Sequence, residues 1–408
     1  MDVLINKSKL KSGQSIVLSG SKSESNRLLV LQALYPQIKI EHLSSSEDTQ
    51  VMLKALGTDF NKIDVRHAGT AMRFLTAYFA VQNGREVVLT GSERMQERPI
   101  GILIDALRKL GAQIEYLREE GYPPLKIKGS ELSKYKVTLN AEVSSQFISA
   151  LMLIAPKLKN GLEIILEGEV TSRPYLDMTI RLLGSIGVET SFKDNTIEIS
   201  PMKEIKGSVS VTVESDWSSA SYFYSFIALS SVGTFLNLRS FKEDSLQGDS
   251  ALVDIYSQFG VKTTFQKGTI RIEKVSNSVK HFSLNLNKTP DIAQTIAVTC
   301  LGLGVGCELY GLQTLKIKET NRLTALKAEM EKFGAIVEIY DSSLTLKPSE
   351  QLVDNVSVST YNDHRMAMAF APLALRVPIV VEDATVVVKS YPNFWEHIQS
   401  LGIDCETI

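Results

Sequence analysis

Two kinds of helical pattern alternate along the chain. In the first, surface-type helices end in an apolar residue and glycine and then pass into strand-like segments: LRKLGAQIEYL at Gly111, RLLGSIGVETSF at Gly187, YSQFGVKTTF at Gly260 and EMEKFGAIVEIY at Gly334. These glycines recur about every 75 residues. Shorter versions around Gly57 and Gly402 bring the copies to about six, which suggests two sets of three. Each glycine suits the position just past a helix end, where the chain turns to positive φ and a residue without Cβ is least strained. Hairpin turns are expected at Lys193-Asp194-Asn195 and at Gln266-Lys267-Gly268, with alternating apolar positions on both sides. The unit is therefore α/β with antiparallel elements rather than a plain βαβ run.

The second pattern is apolar nearly all round after a polar first turn: GTAMRFLTAYFAV, SSQFISALMLIA, DWSSASYFYSFIAL, DIAQTIAVTCLGL and DHRMAMAFAPLAL. Such helices belong inside a domain, covered by sheet or by other helices. Ordinary core packing accounts for their bodies but not for their heads. Six helix starts carry clustered hydroxyl or charged residues: Ser21-Lys22-Ser23 leading to Arg27, Gly69-Thr70 to Arg73, Ser144-Ser145-Gln146, Asp216 before Ser218-Ser219, Lys318-Glu319 leading to Arg322, and Asp363-His364-Arg365. A helix start offers unpaired N–H groups and roughly half a positive charge, so several of them together with Lys and Arg make a multi-point anion site. Further basic residues, Arg94, Arg98, Arg173 and Lys389, lie in loop-like stretches.

Composition narrows the chemistry. A chain of 408 residues with 44% apolar positions is long enough for two cores. Its formal net charge of −2 provides no overall field for nucleic acid or an anionic membrane, so any anion site must be built locally. Cys300, Cys307 and Cys405 have neither disulfide nor zinc-knuckle spacing, and cytoplasm is the expected compartment. No apolar signal core and no membrane-length apolar run is read from the sequence. The scattered histidines and the lack of a carboxylate cage predict no metal and no cofactor. The Gly20-Ser21-Lys22-Ser23 segment misses the Walker A spacing, because Ser15 stands where the first glycine belongs. There is no G-x-S-x-G elbow either.

The heads, in this order, resemble the 5-enolpyruvylshikimate-3-phosphate (EPSP) synthase family: GSKSESNR, AGTAMR, ERMQERPI, SSQF, SRPY, DWSSASYF, PDIAQT, KIKETNRL, YNDHRMAMAF and VVKSYPNFW. The resemblance implies two similar domains, each of three βαβαββ repeats with internal helices, as in the inside-out α/β barrel of enolpyruvyl transferases. It implies residues 1–20 with 214–408 as one discontinuous domain, 21–213 as the other, an active site in the interdomain cleft, and closure around the substrates. The enzyme acting on UDP-N-acetylglucosamine shares the architecture, but an early reactive cysteine would be expected there, and no cysteine precedes Cys300. A non-catalytic anion-binding protein on the same fold is the other alternative; it would be expected to have lost Asp291, Glu319 or Lys389.

Carried over motif by motif, Lys22, Ser23, Arg27, Ser144, Ser145, Gln146, Ser172, Arg173, Tyr175, Asp291, Thr314 and Lys318 look like contacts for shikimate 3-phosphate. Lys22, Gly69, Arg94, Gln146, Arg322, Asp363, Arg365 and Lys389 resemble the phosphoenolpyruvate site. Asp291 is the candidate base and Glu319 the candidate proton carrier at the methyl carbon, while Lys22 and Lys389 stabilise developing charge. A monomer using these two small molecules is expected, with no nucleic acid, membrane or cofactor. Departures from the family pattern are His67 and Phe74 around AGTAMR, Thr314 and Asn321 around KIKET, and a short stretch from Leu53 to Ala68 that predicts a missing hairpin in one repeat.

Overall fold

The computed structural model describes residues 1–140, 144–168, 170, 172–279, 281–349 and 351–408. The chain divides into two compact units, one of Met1–Ser19 with Glu214–Ile408 and the other of Gly20–Val213. Each has its own hydrophobic core.

One repeat of the second unit shows the plan. Strand Lys136–Asn140 leads into the buried helix Ser145–Ile154, then strand Leu162–Glu167, helix Arg173–Ser185 and the hairpin Thr190–Lys193/Thr196–Ile199. The first two strands are parallel, with Asn140 opposite Glu167. The hairpin adds antiparallel, Ile197 facing Ile164. The turn is Asp194-Asn195, both at positive φ, as a two-residue turn matched to strand twist requires; Lys193, expected in the turn, is still paired with Thr196. The strands Lys62–Asp64, Glu86–Thr90, Gln113–Tyr116 and Leu125–Lys128 repeat this order around helices Gly69–Ala80 and Gly101–Leu110.

The third sheet of this unit has only two strands, Val209–Thr212 parallel to Ile38–Glu41. Helices Lys22–Leu34 and Glu47–Leu56 accompany it, but the hairpin is missing, as the short Leu53–Ala68 stretch predicts. Gly57 therefore departs from the glycine expectation. Its φ is −93°, whereas Gly111, Gly187, Gly260, Gly334 and Gly402 are all positive, since Gly57 leads straight into the next repeat and not into a hairpin.

The first unit carries three four-stranded sheets. Two of them are entered or closed by the N-terminal segment. Gln14–Val17 supplies the first strand beside Phe235–Arg239, and Val3–Ile5 lies between Ile379–Val381 and the C-terminal Cys405–Thr407. Three helices fill this core: Trp217–Ala228, Ala293–Leu303 and His364–Phe370. Trp217 is fully buried, edge-on to Phe241 with ring centroids 4.8 Å apart.

Among the described residues six helices, three per unit, are thus buried on nearly every side. The sixth, Lys22–Leu34, is hidden in the sequence because its buried positions include Glu24, Ser25 and Asn26. The conformational contrast between glycines predicts opposite effects of one substitution. A Cβ on Gly260, at φ +71°, would lie 2.0 Å from the Ser276 carbonyl oxygen; one on Gly57 would meet nothing closer than 3.5 Å. Gly260→Ala is expected to destabilise by about 2–4 kcal/mol, lowering the melting temperature by at least about 5 °C, while Gly57→Ala leaves it unchanged or slightly raised. Thermal unfolding of the two variants checks this.

Candidate active site

The polar heads come together within each unit. In Gly20–Val213, Ser21 caps helix Lys22–Leu34 by accepting from the Glu24 amide. Lys22 pairs with Asp48 at 3.0 Å, and Ser23 is half-buried beside it. Arg27 is only 2% exposed and ties three helices together. Its Nε donates to Thr179 Oγ1 (2.8 Å) and its Nη2 to Ser149 Oγ (3.1 Å) and the Tyr175 carbonyl (3.4 Å). The Tyr175 and Phe74 rings lie 5.9 and 5.3 Å from its guanidinium carbon. Burial pulls the Arg27 pKa down to about 10, still charged at neutral pH. Phe74, the family departure, therefore packs under Arg27 within the unbroken helix Gly69–Ala80.

Ser144 caps helix Ser145–Ile154, and Gln146 Nε2 donates to Thr70 Oγ1 at 3.1 Å, joining that head to the one at Gly69. Ser145 is buried. Ser172, at φ 54°, heads helix Arg173–Ser185; a serine held in the left-handed region costs roughly 1–3 kcal/mol and is a mark of functional sites. Arg173 is helical rather than in a loop, is half-exposed, bonds Asp177 at 3.1 Å and stacks 3.7 Å over Phe192.

Gly69 is a close-approach glycine. A Cβ there would lie 2.7 Å from Arg98 Nη1 and 3.0 Å from Arg73 Nη1. Arg73 is buried, donating to the Gly69 and Pro99 carbonyls. Arg98 is 9% exposed. Arg94, the residue expected here, is not brought in: it sits on the short helix Glu93–Gln96, exposed, and pairs with Glu97 at 3.0 Å. The two arginines are four positions apart, and the helix with the turn that follows sends one outward and the other to Gly69. Of the two arginines of ERMQERPI, the structure sets Arg98 and not Arg94 beside Gly69. His67 Nδ1 lies 3.1 Å from Ser92 Oγ, which also accepts from the Met95 amide, so the substituted histidine supports the same loop.

In the other unit, the centre is Arg322, 1% exposed. Its Nε donates to Asp363 Oδ2 (2.7 Å), Nη1 to Asp291 Oδ1 (3.1 Å), and Nη2 to Glu319 Oε2 (2.9 Å) and Asp363 Oδ1 (3.4 Å). Burial alone would lower its pKa, but Asp363, Glu319 and Asp291 outweigh that and raise it. Asp291 also has Lys318 Nζ at 3.6 Å and Arg365 Nη2 at 3.5 Å, while Arg365 Nη1 donates to the Asp291 carbonyl. Burial lowers the Lys318 pKa, with Asp291 opposing and Arg322 adding to the shift.

Local structure differs from expectation at one of these heads. Lys318 and Glu319 precede their helix, which starts at Arg322 and is capped by Asn321 accepting from the Thr324 amide. Thr314 lies in the 3₁₀ turn Gln313–Ile317, its hydroxyl buried and without a hydrogen bond among the described residues. Asp363 is fully buried and caps helix His364–Phe370 through the Arg365 amide (2.9 Å) while holding Arg322. Lys389 ends a 3₁₀ turn and donates to the Asn362 carbonyl (2.7 Å) and Oδ1 (2.6 Å). Asn362 adopts φ 58°, a conformation Asn tolerates better than most residues. Among the described residues no group of His, Cys, Asp and Glu is arranged to hold a metal ion, and no helix is long and apolar enough to cross a membrane.

The architecture is that of the enolpyruvyl transferases. The EPSP synthase of Acinetobacter baumannii superposes with a TM-score of 0.80 at 20% identity, covering 99% of each chain. The enolpyruvyl transferase NikO of Streptomyces tendae superposes at 0.76 with 13% identity, covering 99% of this chain and 98% of its own. The profile of EPSP synthase (3-phosphoshikimate 1-carboxyvinyltransferase) matches residues 57–398, and the 3-phosphoshikimate 1-carboxyvinyltransferase of Bacteroides fragilis is 44% identical over 393 residues, 95% of either chain. The chain belongs to the EPSP synthase family.

The ion network makes a stability prediction. Removing Arg322 would leave buried Asp363 without its cation, and breaking such a pair costs about 3–5 kcal/mol. Arg322→Ala is expected to lower the melting temperature by several degrees, whereas Arg94→Ala, which removes an exposed pair, leaves it within about a degree.

Proposed function

We propose that the chain moves the enolpyruvyl group of phosphoenolpyruvate onto the 5-hydroxyl of shikimate 3-phosphate, releasing phosphate in the route to chorismate and the aromatic amino acids. The observation that carries this reading is the Asp291 carboxylate held by Arg322, Arg365 and Lys318 at 3.1–3.6 Å on a family-matched head. The three cations fix the direction in which the Asp291 carboxylate can meet a substrate hydroxyl.

In the proposed reaction the hydroxyl oxygen bonds to C2 of phosphoenolpyruvate, its proton passes to Asp291, and C3 gains a proton from Glu319 to become a methyl group. The tetrahedral intermediate then breaks its C2–O bond to phosphate as the methyl returns a proton to Glu319. Lys22 and Lys389 stabilise the charge on the departing phosphate. Ser23, Arg27, Ser144, Ser145, Gln146, Ser172, Arg173, Tyr175, Thr314 and Lys318 are proposed for shikimate 3-phosphate. Arg27 and Arg173 serve this through position, since their guanidinium groups already bond within the unit. For phosphoenolpyruvate the proposal takes Arg98 beside Gly69 in place of Arg94, with Gln146, Arg322, Arg365, Lys389 and Lys22, and leaves Asp363 to orient Arg322. Paired guanidinium groups can fork onto a carboxylate or phosphate, as lysine cannot. A cytoplasmic monomer acting on these small molecules is part of the proposal, and the net charge of −2 gives no overall field for nucleic acid or an anionic membrane.

The test is phosphate release from phosphoenolpyruvate by the purified chain without added metal, with shikimate 3-phosphate or UDP-N-acetylglucosamine as acceptor. Release with the first acceptor alone is expected; release with the second, or with neither, overturns the reading. Asp291→Asn should reduce turnover by at least about a hundredfold with little change in either KM. Arg98→Ala should raise the phosphoenolpyruvate KM at least about tenfold, while Arg94→Ala changes it by less than about twofold.

A further inference from the structure

One helix head has no part in the substrate contacts carried over from the family, namely Asp216 to Ser219 at the start of Trp217–Ala228. Asp216 is spent on capping, its Oδ1 accepting from the Ser219 amide and hydroxyl. Ser218 is not. Its hydroxyl bonds the Asp249 carboxylate in a very short contact on one side and lies 3.4 Å from Arg365 Nη2 on the other. Asp249, 5% exposed, comes from the 3₁₀ turn Gly248–Ala251.

The loop that delivers Asp249 is fastened to the start of the same helix. Buried Glu214 accepts from Trp217 Nε1 (2.7 Å), the Lys242 amide (2.8 Å) and the Ser245 hydroxyl (2.6 Å). Gln247 closes the loop, accepting from the Trp217 amide and donating to the Ser215 carbonyl. A loop pinned this firmly on both sides leaves Asp249 no freedom to turn away from Ser218, so the carboxylate cannot be an incidental surface acid.

We infer that Asp249 is a positioning residue of the reaction: acting through Ser218, it fixes the Arg365 guanidinium for the phosphoenolpyruvate anion. The inference rests on the function proposed above. When Asp249 is ionised, the Ser218 hydroxyl must donate to it, which leaves a Ser218 lone pair to accept from Arg365. When Asp249 is protonated it becomes the donor, and the serine hydroxyl is free to swing away. The charged groups facing Asp249 are Asp291, Arg365 and Asp216. Burial first, and then the Asp291 charge, push its pKa up to about 7, with Arg365 opposing. The arrangement therefore tightens as pH rises through neutrality.

The experiment compares Ser218→Ala and Asp249→Asn with the wild type, using shikimate 3-phosphate and phosphoenolpyruvate. Wild-type turnover in the same assay reports on the proposed function independently of the variants. Ser218→Ala is expected to raise the phosphoenolpyruvate KM about tenfold, leaving the shikimate 3-phosphate KM and the melting temperature nearly unchanged. In wild type, kcat/KM for phosphoenolpyruvate should fall as pH drops through about 7, and Asp249→Asn should lose that limb while keeping any limb due to the substrate's own phosphate. An unchanged phosphoenolpyruvate KM in Ser218→Ala, an equal rise in both KM values, or identical pH profiles in wild type and Asp249→Asn would each overturn the inference.

Discussion

A helix buried on every side can meet solvent or a ligand only at its ends, and much of this protein follows from that constraint. Six such helices stand inside the two units, and their bodies are closed by sheets and by the outer helices. Each N-terminus has up to four N–H groups without intrahelical partners, and each must find acceptors where the helix emerges. Ser21, Ser144, Asp216 and Asp363 meet part of that need as caps. The residues next to them, Lys22, Gln146, Ser218 and Arg365, are thereby placed at fixed points with little freedom. The packing rule that makes the core also makes a set of aimed polar groups.

The two units solve the electrostatics differently. In Gly20–Val213 the buried bases Arg27 and Arg73 bond mainly to hydroxyls and backbone carbonyls, so their charge is solvated by dipoles and remains attractive to an anion. In the other unit Asp291, Glu319 and Asp363 face Arg322, Arg365 and Lys318 as a closed network. Such a network contributes little net stability over an apolar core, but removing one member is costly, which makes it a device for geometry. Its carboxylates hold the cations, and Asp291, shared by three of them, has the most constrained position.

Much of this was legible in the sequence. The five positive-φ glycines, the places of both hairpins and the missing hairpin after Leu53 follow from local rules of backbone sterics and spacing, though each turn is one residue shorter than the sequence suggests. The polar heads were visible because hydroxyls and charges interrupt long apolar runs. Other features depend on burial or on distant pairing, which periodicity does not report. The sequence shows the head of helix Lys22–Leu34 but not the burial of its body, because Glu24, Ser25 and Asn26 are polar, yet all three are buried. The N-terminal strand Val3–Ile5 pairs with residues 400 or more positions away, and no local signal announces it. The choice between Arg94 and Arg98 turned on a single helical turn, Glu93–Gln96, too short to be recognised by period.

Asp249 shows why a site of this kind cannot be read as a roster of charged motifs. Neither it nor Glu214 belongs to a head, and in sequence both resemble ordinary acids beside a turn. Their meaning comes from desolvation: a carboxylate removed from water must find donors, and here those donors are Ser218 for one acid, and Trp217, Ser245 and the Lys242 amide for the other. Satisfying Glu214 fixes the loop, fixing the loop presents Asp249, and satisfying Asp249 orients the hydroxyl that faces Arg365. Each step follows from the cost of leaving a buried polar group unpaired, so a chain of hydrogen bonds that starts at Glu214 can set the direction of the Arg365 guanidinium.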